Sequence, residues 1–371
     1  MNASKRMVHD TTKGGMEMNE KRILRAVALV GIGLAFAGLA LTACKSEEVT
    51  SKYVRYDLVS DTAGFEGARL DARLLNAWGI AVDASGNFLV GSNHNGDALW
   101  YDGGGLDVGT PITIPAVDTT AMGAPSGIVR NTTSDFKLPG TSEAAKMIFV
   151  TEDGLVLGWS SGLKAIKVAD RSAADAVYKG VAIAADGSDN FIYATNFKGH
   201  AVDVFDKNFN YITTKPFSDP NIPSNYGPFN IANIGGKLYV SYAVPRSPDF
   251  GDDSAGTGVG YINIFEPSGL LNKRFVSGGY LNSPWGMALA RAEFGQYNNA
   301  ILVGNFGDGY INAYATDGAW LGPLKDELGN VVQIDGLWGL EFKPASDPDK
   351  LYYTAGPNEE NHGLFGYLKM E

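Results

Sequence analysis

The sequence predicts an all-β fold, a six-bladed β-propeller, and three observations carry that prediction. The first is a repeat. Residues 178–206, YKGVAIAADGSDNFIYATNFKGHAVDVFD, read as an apolar strand (181–184), a tight Asp-Gly-Ser-Asp turn, a second apolar strand (191–195), a polar turn and a third strand (201–205). The same order returns at 76–102 and, more loosely, at 124–159, 226–265, 283–314 and 336–367, which makes six copies. The second is a register: aligning the start of the first strand superposes Gly79, Gly127, Gly180, Asn230, Gly286 and Gly339, at a period of roughly 50 residues, as in propeller arrays. The third is composition. With 44% hydrophobic and 19% charged residues the chain can bury a large core, and its 47 glycines fall at strand ends and turns without a collagen period.

The elements follow in chain order. Residues 1–43 read as a signal peptide of the lipoprotein type. Lys21, Arg22 and Arg25 form its basic part, 26–41 its apolar part, and Leu41-Thr42-Ala43-Cys44 resembles a bacterial lipobox. Met7, Met16 and Met18 stand beside Met1 as alternative starts. An uncleaved membrane anchor is the alternative, against which count the shortness of the apolar run and Gly31, Gly33 and Gly38 within it. Cys44, the chain's one cysteine, would then be lipidated. Residues 44–52 form a polar tether, and by resemblance to Gram-negative lipoproteins Lys45 directs the protein to the outer membrane.

Residues 53–371 are the propeller. Residues 53–59, YVRYDLV, precede the first repeat, while the last repeat stops after three strands. The expectation is that 53–59 supplies the missing outer strand of the last blade, closing the ring and removing its free edges. Each repeat supplies strands A, B and C, counted outward from the axis. The outer strand D is expected at 112–115, 165–168, 211–215 and 273–276. Strands B such as 88–90, 148–150, 301–303 and 351–353 are continuous apolar runs, which suits blades covered on both faces. Residues 289–296 allow a helical turn or two.

The pattern G-I-A-V-D-x-x-G-N-F-L-V at 79–90, with Tyr101-Asp102 closing strand C, resembles NHL-type repeats. With the loop 245–260 (PRSPDFGDDSAGTGVG) and the closing 355–366 (AGPNEENHGLFG), residues 53–371 look like an uncharacterised family of exported bacterial propellers. Some members of that family end in an exosortase-type C-terminal sorting tail, which the resemblance replaces here by the lipid on Cys44. The resemblance implies a six-bladed fold in the cell envelope and carries no activity across.

The formal charge is −11, and residues 1–43 carry a net +3, leaving −14 on the remainder. No basic run follows residue 43, so nucleic acid is excluded as a partner. The membrane enters only through the lipid.

Polar residues gather in the B–C turns, on the face around the axial opening. Asn93, Glu152, Asn196 and Asn305 hold the same register at the end of strand B. Their oxygens form a candidate set for a hard cation such as Ca²⁺; the plainer reading is that the asparagines close their own turns. His94, His200 and His362 all lie in or beside these turns, without a matched register, and offer a general base near neutral pH. No nucleophile elbow and no zinc-binding histidine spacing occurs, so no catalytic residue is assigned. Before the register glycine stand Trp78, Ser126, Lys179, Phe229, Trp285 and Trp338. Trp78, Phe229, Trp285 and Trp338, with Asn93, His94, Asn196, Asn305 and His362 around them, are candidate ligand-binding residues for a sugar ring or an extended peptide. Packing between blades is the alternative. The loop 245–260, with Asp249, Asp252 and Asp253, is a candidate contact loop over the axial mouth.

Two functions are therefore expected. The leading one is a non-catalytic recognition module for a polysaccharide or an envelope protein. The other is a Ca²⁺-dependent hydrolase, lactonase or lyase with its site at the axial mouth.

Overall fold

The computed structural model describes residues 52–343 and 347–371; Cys44, the segment assigned to the signal peptide and the tether up to residue 51 lie outside them. Six antiparallel sheets form a six-bladed propeller. Blade one comprises Ala77–Val82, Phe88–Ser92, Asp97–Tyr101 and Ile112–Thr113. Blade two comprises Pro125–Arg130, Met147–Thr151, Leu155–Trp159 and Ile166–Asp170. Blade three comprises Tyr178–Asp186, Asp189–Asn196, Ala201–Phe205 and Tyr211–Ile212, and blade four Gly227–Ile234, Lys237–Ala243, Tyr261–Phe265 and Leu271–Ser277. Blade five comprises Pro284–Leu289, Ile301–Asn305, Ile311–Tyr314 and Trp320–Pro323, its outer strand being one the sequence did not betray. At 289–296 no helix of useful length forms; a single 3₁₀ turn occupies Gly295–Tyr297.

Blade six is built from both ends of the described chain. Leu337–Phe342, Lys350–Ala355 and Leu364–Met370 are joined by Tyr53–Ser60, which pairs antiparallel with the last strand from Tyr53↔Met370 to Ser60↔Leu364. The short strand Arg69–Leu70 adds a parallel edge outside it. Tyr53 anchors the closure a second time, its hydroxyl donating to the Phe294 carbonyl of blade five at 3.0 Å.

The six innermost strands contact one another in sequence, and the last contacts the first. How they do so explains the register. In every blade the A–B pairing skips the residue before the register position: the shift falls between Ala77 and Ile80, Pro125 and Ile128, Tyr178 and Val181, Pro228 and Asn230, Pro284 and Met287, and Leu337 and Leu340. A bulge puts an unpaired residue into a strand and re-aims its side chain. Here the re-aimed residues are Trp78, Ser126, Lys179, Phe229, Trp285 and Trp338, and the glycine beside each lets the next blade approach. A Cβ on Gly79 would stand 2.5 Å from the Ser126 carbonyl oxygen, and one on Gly286 2.6 Å from that of Trp338. Blade four has Asn230 instead. Its Nδ2 donates to the Trp285 carbonyl at 2.7 Å, so a side-chain amide bridges the gap that glycine leaves open elsewhere.

The same ring is stitched by hydroxyls. Ser126 Oγ donates to the Tyr178 carbonyl at 2.7 Å, Thr195 Oγ1 to Phe229 O at 3.3 Å, and Thr354 Oγ1 to Trp78 O. Between blades the B strands are buried on both faces, and Phe88, Leu89, Val90, Ile148, Phe149 and Val150 are all fully covered. That is why they carry no polar alternation.

Gly79→Ala is expected to destabilise the fold by about 1–3 kcal/mol, because the added methyl meets backbone that cannot yield. Gly251→Ala meets no atom within 4 Å and should stay within about 0.5 kcal/mol of the parent. Urea midpoints of the two variants check the contrast.

Candidate functional site

The re-aimed side chains meet on the axis. Trp78 stacks on Trp338 with ring centroids 3.8 Å apart, Phe306 stacks on the other face of Trp338 at 3.9 Å, and Trp285 meets Trp338 edge-on at 5.8 Å. Phe229 and Phe197 complete the cluster. Trp78, Trp285, Trp338 and Phe229 are buried, at 5% exposure or less. They are therefore a plug between blades and present no open face to a ring ligand, which corrects the expectation of an aromatic binding surface. The physical reason is the close approach that the register glycines permit. Each such aromatic pair adds about 0.5–1.5 kcal/mol beyond its burial.

Lys179 is the exception in this set. Its ammonium lies 4.6 Å from the Trp78 ring centroid, and its side chain is 1% exposed. Above it converge the carboxylates of three different loops. Glu152 forms a direct ion pair with it, Asp252 Oδ1 stands 4.0 Å away, and Glu360 lies close enough to act on its charge. Burial alone would lower the lysine, but Glu152, with Asp252 and Glu360, holds its pKa above the ordinary value. Asn93, itself buried, joins this group by donating to Glu152 at 3.0 Å and to the Pro125 carbonyl at 3.3 Å.

Asn76 links plug and mouth. Its Oδ1 accepts from Trp338 Nε1 at 3.0 Å, its Nδ2 donates to Glu360 at 2.6 Å, and the exposed His94 ring lies 3.4 Å away. Glu360 is delivered by an uncommon backbone. Asn358, Glu359 and Glu360 all adopt left-handed conformations, with φ of 57°, 53° and 65°, at a cost of about 1–2 kcal/mol per non-glycine residue. Three in succession is a stretch of strain of the kind concentrated at binding and catalytic sites. Burial pushes the Glu360 carboxyl up to about 7; Lys179 pulls it down, while Glu152 and Asp252 push it further up.

The loop 245–260 is folded over this mouth. Arg246 N donates to the Asp252 carbonyl at 2.7 Å and Ser254 N to Val244 O at 2.8 Å. Arg246 pairs with Asp252 at 2.8 Å. Asp253 is buried, its carboxyl raised by that burial, and its Oδ2 has no partner among the described residues.

The candidate cation set fares differently. Asn196 Oδ1 accepts from Val177 N and Gly199 N, closing its own turn. Asn305 Nδ2 donates to the Tyr280 carbonyl at 2.8 Å. Only Asn93 and Glu152 are brought together, and the position beside Glu152 that a Ca²⁺ ion would take is held by the Lys179 ammonium. A set of six to eight oxygens is thus not assembled, and the residues do not fit calcium. Among the described residues no group of three or more His, Cys, Asp or Glu side chains is arranged around a metal position. His200 is exposed, its Nδ1 2.9 Å from the Tyr226 carbonyl, and His362 Nδ1 lies 2.9 Å from Asp61 Oδ2, while the His362 carbonyl accepts from Asn76 N at 3.2 Å.

What the mouth can do follows from its groups. Partly exposed carboxylates converge here beside buried amides and can accept from hydroxyl or ammonium groups of a ligand. One of them, Glu360, can exchange a proton near pH 7. Lys179 and Asn76 were legible only as oddities: a cation in a register otherwise mostly aromatic, and an asparagine that opens the first repeat.

No family model matches the chain. It is 35% identical over 334 residues to the uncharacterised protein R648 of Acanthamoeba polyphaga mimivirus, covering 86% of this chain and 80% of that one. It is 34% identical over 315 residues to the uncharacterised protein L690 of the same virus, covering 81% and 82%. Among solved structures it is similar to a streptogramin B lyase, with a TM-score of 0.51 at 12% identity over 86% of this chain and 98% of that one. It is also similar to a GH93 α-L-arabinofuranosidase of Fusarium graminearum, with a TM-score of 0.52 at 10% identity over 85% and 97%. These structural likenesses show the shared propeller and nothing finer.

Because the folded Glu360 carboxyl titrates above its unfolded value, the folded state binds the extra proton between about pH 4.5 and pH 7. Its contribution to stability is present below that window and is lost as pH rises through it. Glu360→Gln should therefore flatten that part of the stability profile. It should also raise stability at pH 8 by on the order of 1–2 kcal/mol, allowing for partial exposure. Lys179→Met should do the reverse and destabilise by about 3 kcal/mol or more, since it leaves Glu152 without its counter-charge. Urea titrations across pH measure both.

Proposed function

The chain belongs to one family with the mimivirus proteins R648 and L690, and from that premise we propose that it is a ligand-recognising propeller. Its site is the Lys179 mouth, and its ligand is a hydroxyl-rich saccharide, neutral or amino-substituted. The observation that carries this reading is the delivery of Glu360, by three successive left-handed residues, into a group already formed by Glu152, Asp252 and Lys179. Strain of that size is retained where the fold must hold a particular polar geometry. Carboxylates and amides without an open aromatic face suit hydroxyl and ammonium groups better than a stacked ring. Acidic surroundings disfavour an anionic ligand.

A second reading, acid–base catalysis by Glu360, is favoured by one observation: a carboxyl raised to about 7 is matched to proton transfer at neutral pH. Structural neighbours include proteins named as a lyase and a glycosidase, at identities that transfer no residue.

In the same proposal the propeller is tethered in a bacterial envelope through a lipid on Cys44. The viral relatives neither support nor oppose that placement. Cys44→Ser should leave an unprocessed, unlipidated precursor in an expressing bacterium; normal processing of that variant, followed by mass spectrometry, removes the anchor from the proposal.

The site is tested on a glycan array with the full chain, Asp252→Asn and Glu360→Gln. Saccharide binding weakened about tenfold or more in either variant supports it, as expected for loss of a charge-assisted contact. An empty array, or binding indifferent to both changes, overturns it. Turnover of a bound glycoside that stops in Glu360→Gln while binding persists selects the catalytic reading.

A further inference from the structure

The opposite end of the axis holds a second site. One residue past the register position each blade carries an aliphatic residue, Ile80, Ile128, Val181, Ile231, Met287 and Leu340, whose side chain packs mostly between blades and leaves a small remaining edge on the axis. Together with the polar backbone edges of the innermost strands they line a cavity of about 400 Å³ that also takes in Trp285 of the plug. That volume lies in the range of small-molecule sites. The lining also includes two ionisable groups, Arg291 and Glu341. Arg291 Nε is buried and has no hydrogen-bond partner among the described residues. No ion pair of at most 4.0 Å joins Arg291 to Glu341, although each lies within the other's field. The nearby Asn233 amide is already engaged, its Nδ2 donating to the Ile183 carbonyl at 2.8 Å.

A buried guanidinium nitrogen left unpaired is costly, and such groups are rare in folded proteins unless a ligand or ion completes them. A planar fork of N–H donors at the rim of a cavity edged in part by aliphatic side chains is complementary to a carboxylate with a short apolar tail. We propose that this cavity binds an amphipathic monocarboxylate, its head on Arg291 and its tail along the six aliphatic side chains. Glu341 does not cancel the guanidinium, because burial pushes its carboxyl up to about 7 and it keeps its proton in part at neutral pH. Protonated, it is a donor to the second carboxylate oxygen. The proposal rests on nothing at the Lys179 mouth, which lies on the other face.

The test is titration of the full chain with hexanoate and with hexan-1-ol, read by saturation transfer to the ligand methyl protons. Saturable hexanoate binding, about tenfold or more tighter than hexanol, is expected from the charge-assisted contact. Arg291→Met should abolish that preference, Arg291→Lys should keep part of it, and Glu341→Gln should leave affinity equal or tighter. Absence of saturable hexanoate binding, or hexanol binding as tightly, overturns the proposal. So does a hexanoate preference that survives both arginine substitutions. Should Arg291→Met fail to fold, the acid–alcohol comparison on the parent chain and Arg291→Lys decide between these outcomes.

Discussion

The backbone approach of six innermost strands around one axis is the constraint from which the other features follow. Gly79, Gly127, Gly180, Gly286 and Gly339 leave no room for a Cβ, and the paired bulge beside each aims one side chain inward. With six such side chains converging, the axis cannot stay open. It fills with three tryptophans and Phe229, and Lys179 is caught at the edge of the plug. The plug in turn divides the molecule into two unrelated ends, a carboxylate-rich mouth and a cavity lined by aliphatic side chains and polar strand edges. A propeller with small inward side chains would instead carry one continuous channel.

The Lys179 group is poor evidence for stability and better evidence for geometry. Burying an ammonium and a carboxylate together rarely gains free energy over an apolar pair, because desolvation takes back what attraction supplies. What the pair does is fix Glu152 and, through Asn93, the turn after strand B of blade one. Asn76 does the same for Glu360, so that the mouth is set by the same residues that pack the plug. Preorganisation of this kind lowers the ordering cost of binding.

The fold was largely legible because its determinants are local and repeated. Each blade states its own strand order, and the missing fourth strand of blade six pointed to Tyr53–Ser60 without any knowledge of distance. The site was legible only in part, because it depends on which side chains a bulge re-aims. From spacing alone, Trp78 in the register looks as suitable for a ligand as for a plug; only the strand approach separates the two. Asn196 and Asn305 matched Asn93 in position, yet the turn that each closes differs from blade to blade. Glu360 was one of two adjacent acids in 358–362, and the left-handed run that singles it out has no glycine to announce it. Arg291 and the aliphatic ring were invisible as a set, since an arginine just past a strand ordinarily faces water.

The closure of blade six also sets a timetable. Blades one to five each consist of neighbouring segments and can pair soon after their own residues leave the ribosome. The contact between Tyr53 and Met370 joins segments roughly three hundred residues apart, at a loop-closure cost of about 5 kcal/mol beyond the constant part. Until the last strand is made, the first strand has beside it only the two-residue edge Arg69–Leu70, and the flanks of blades one and five stand uncovered. The nascent protein is therefore an open arc until residues 364–370 have been made, and becomes a ring in that one step.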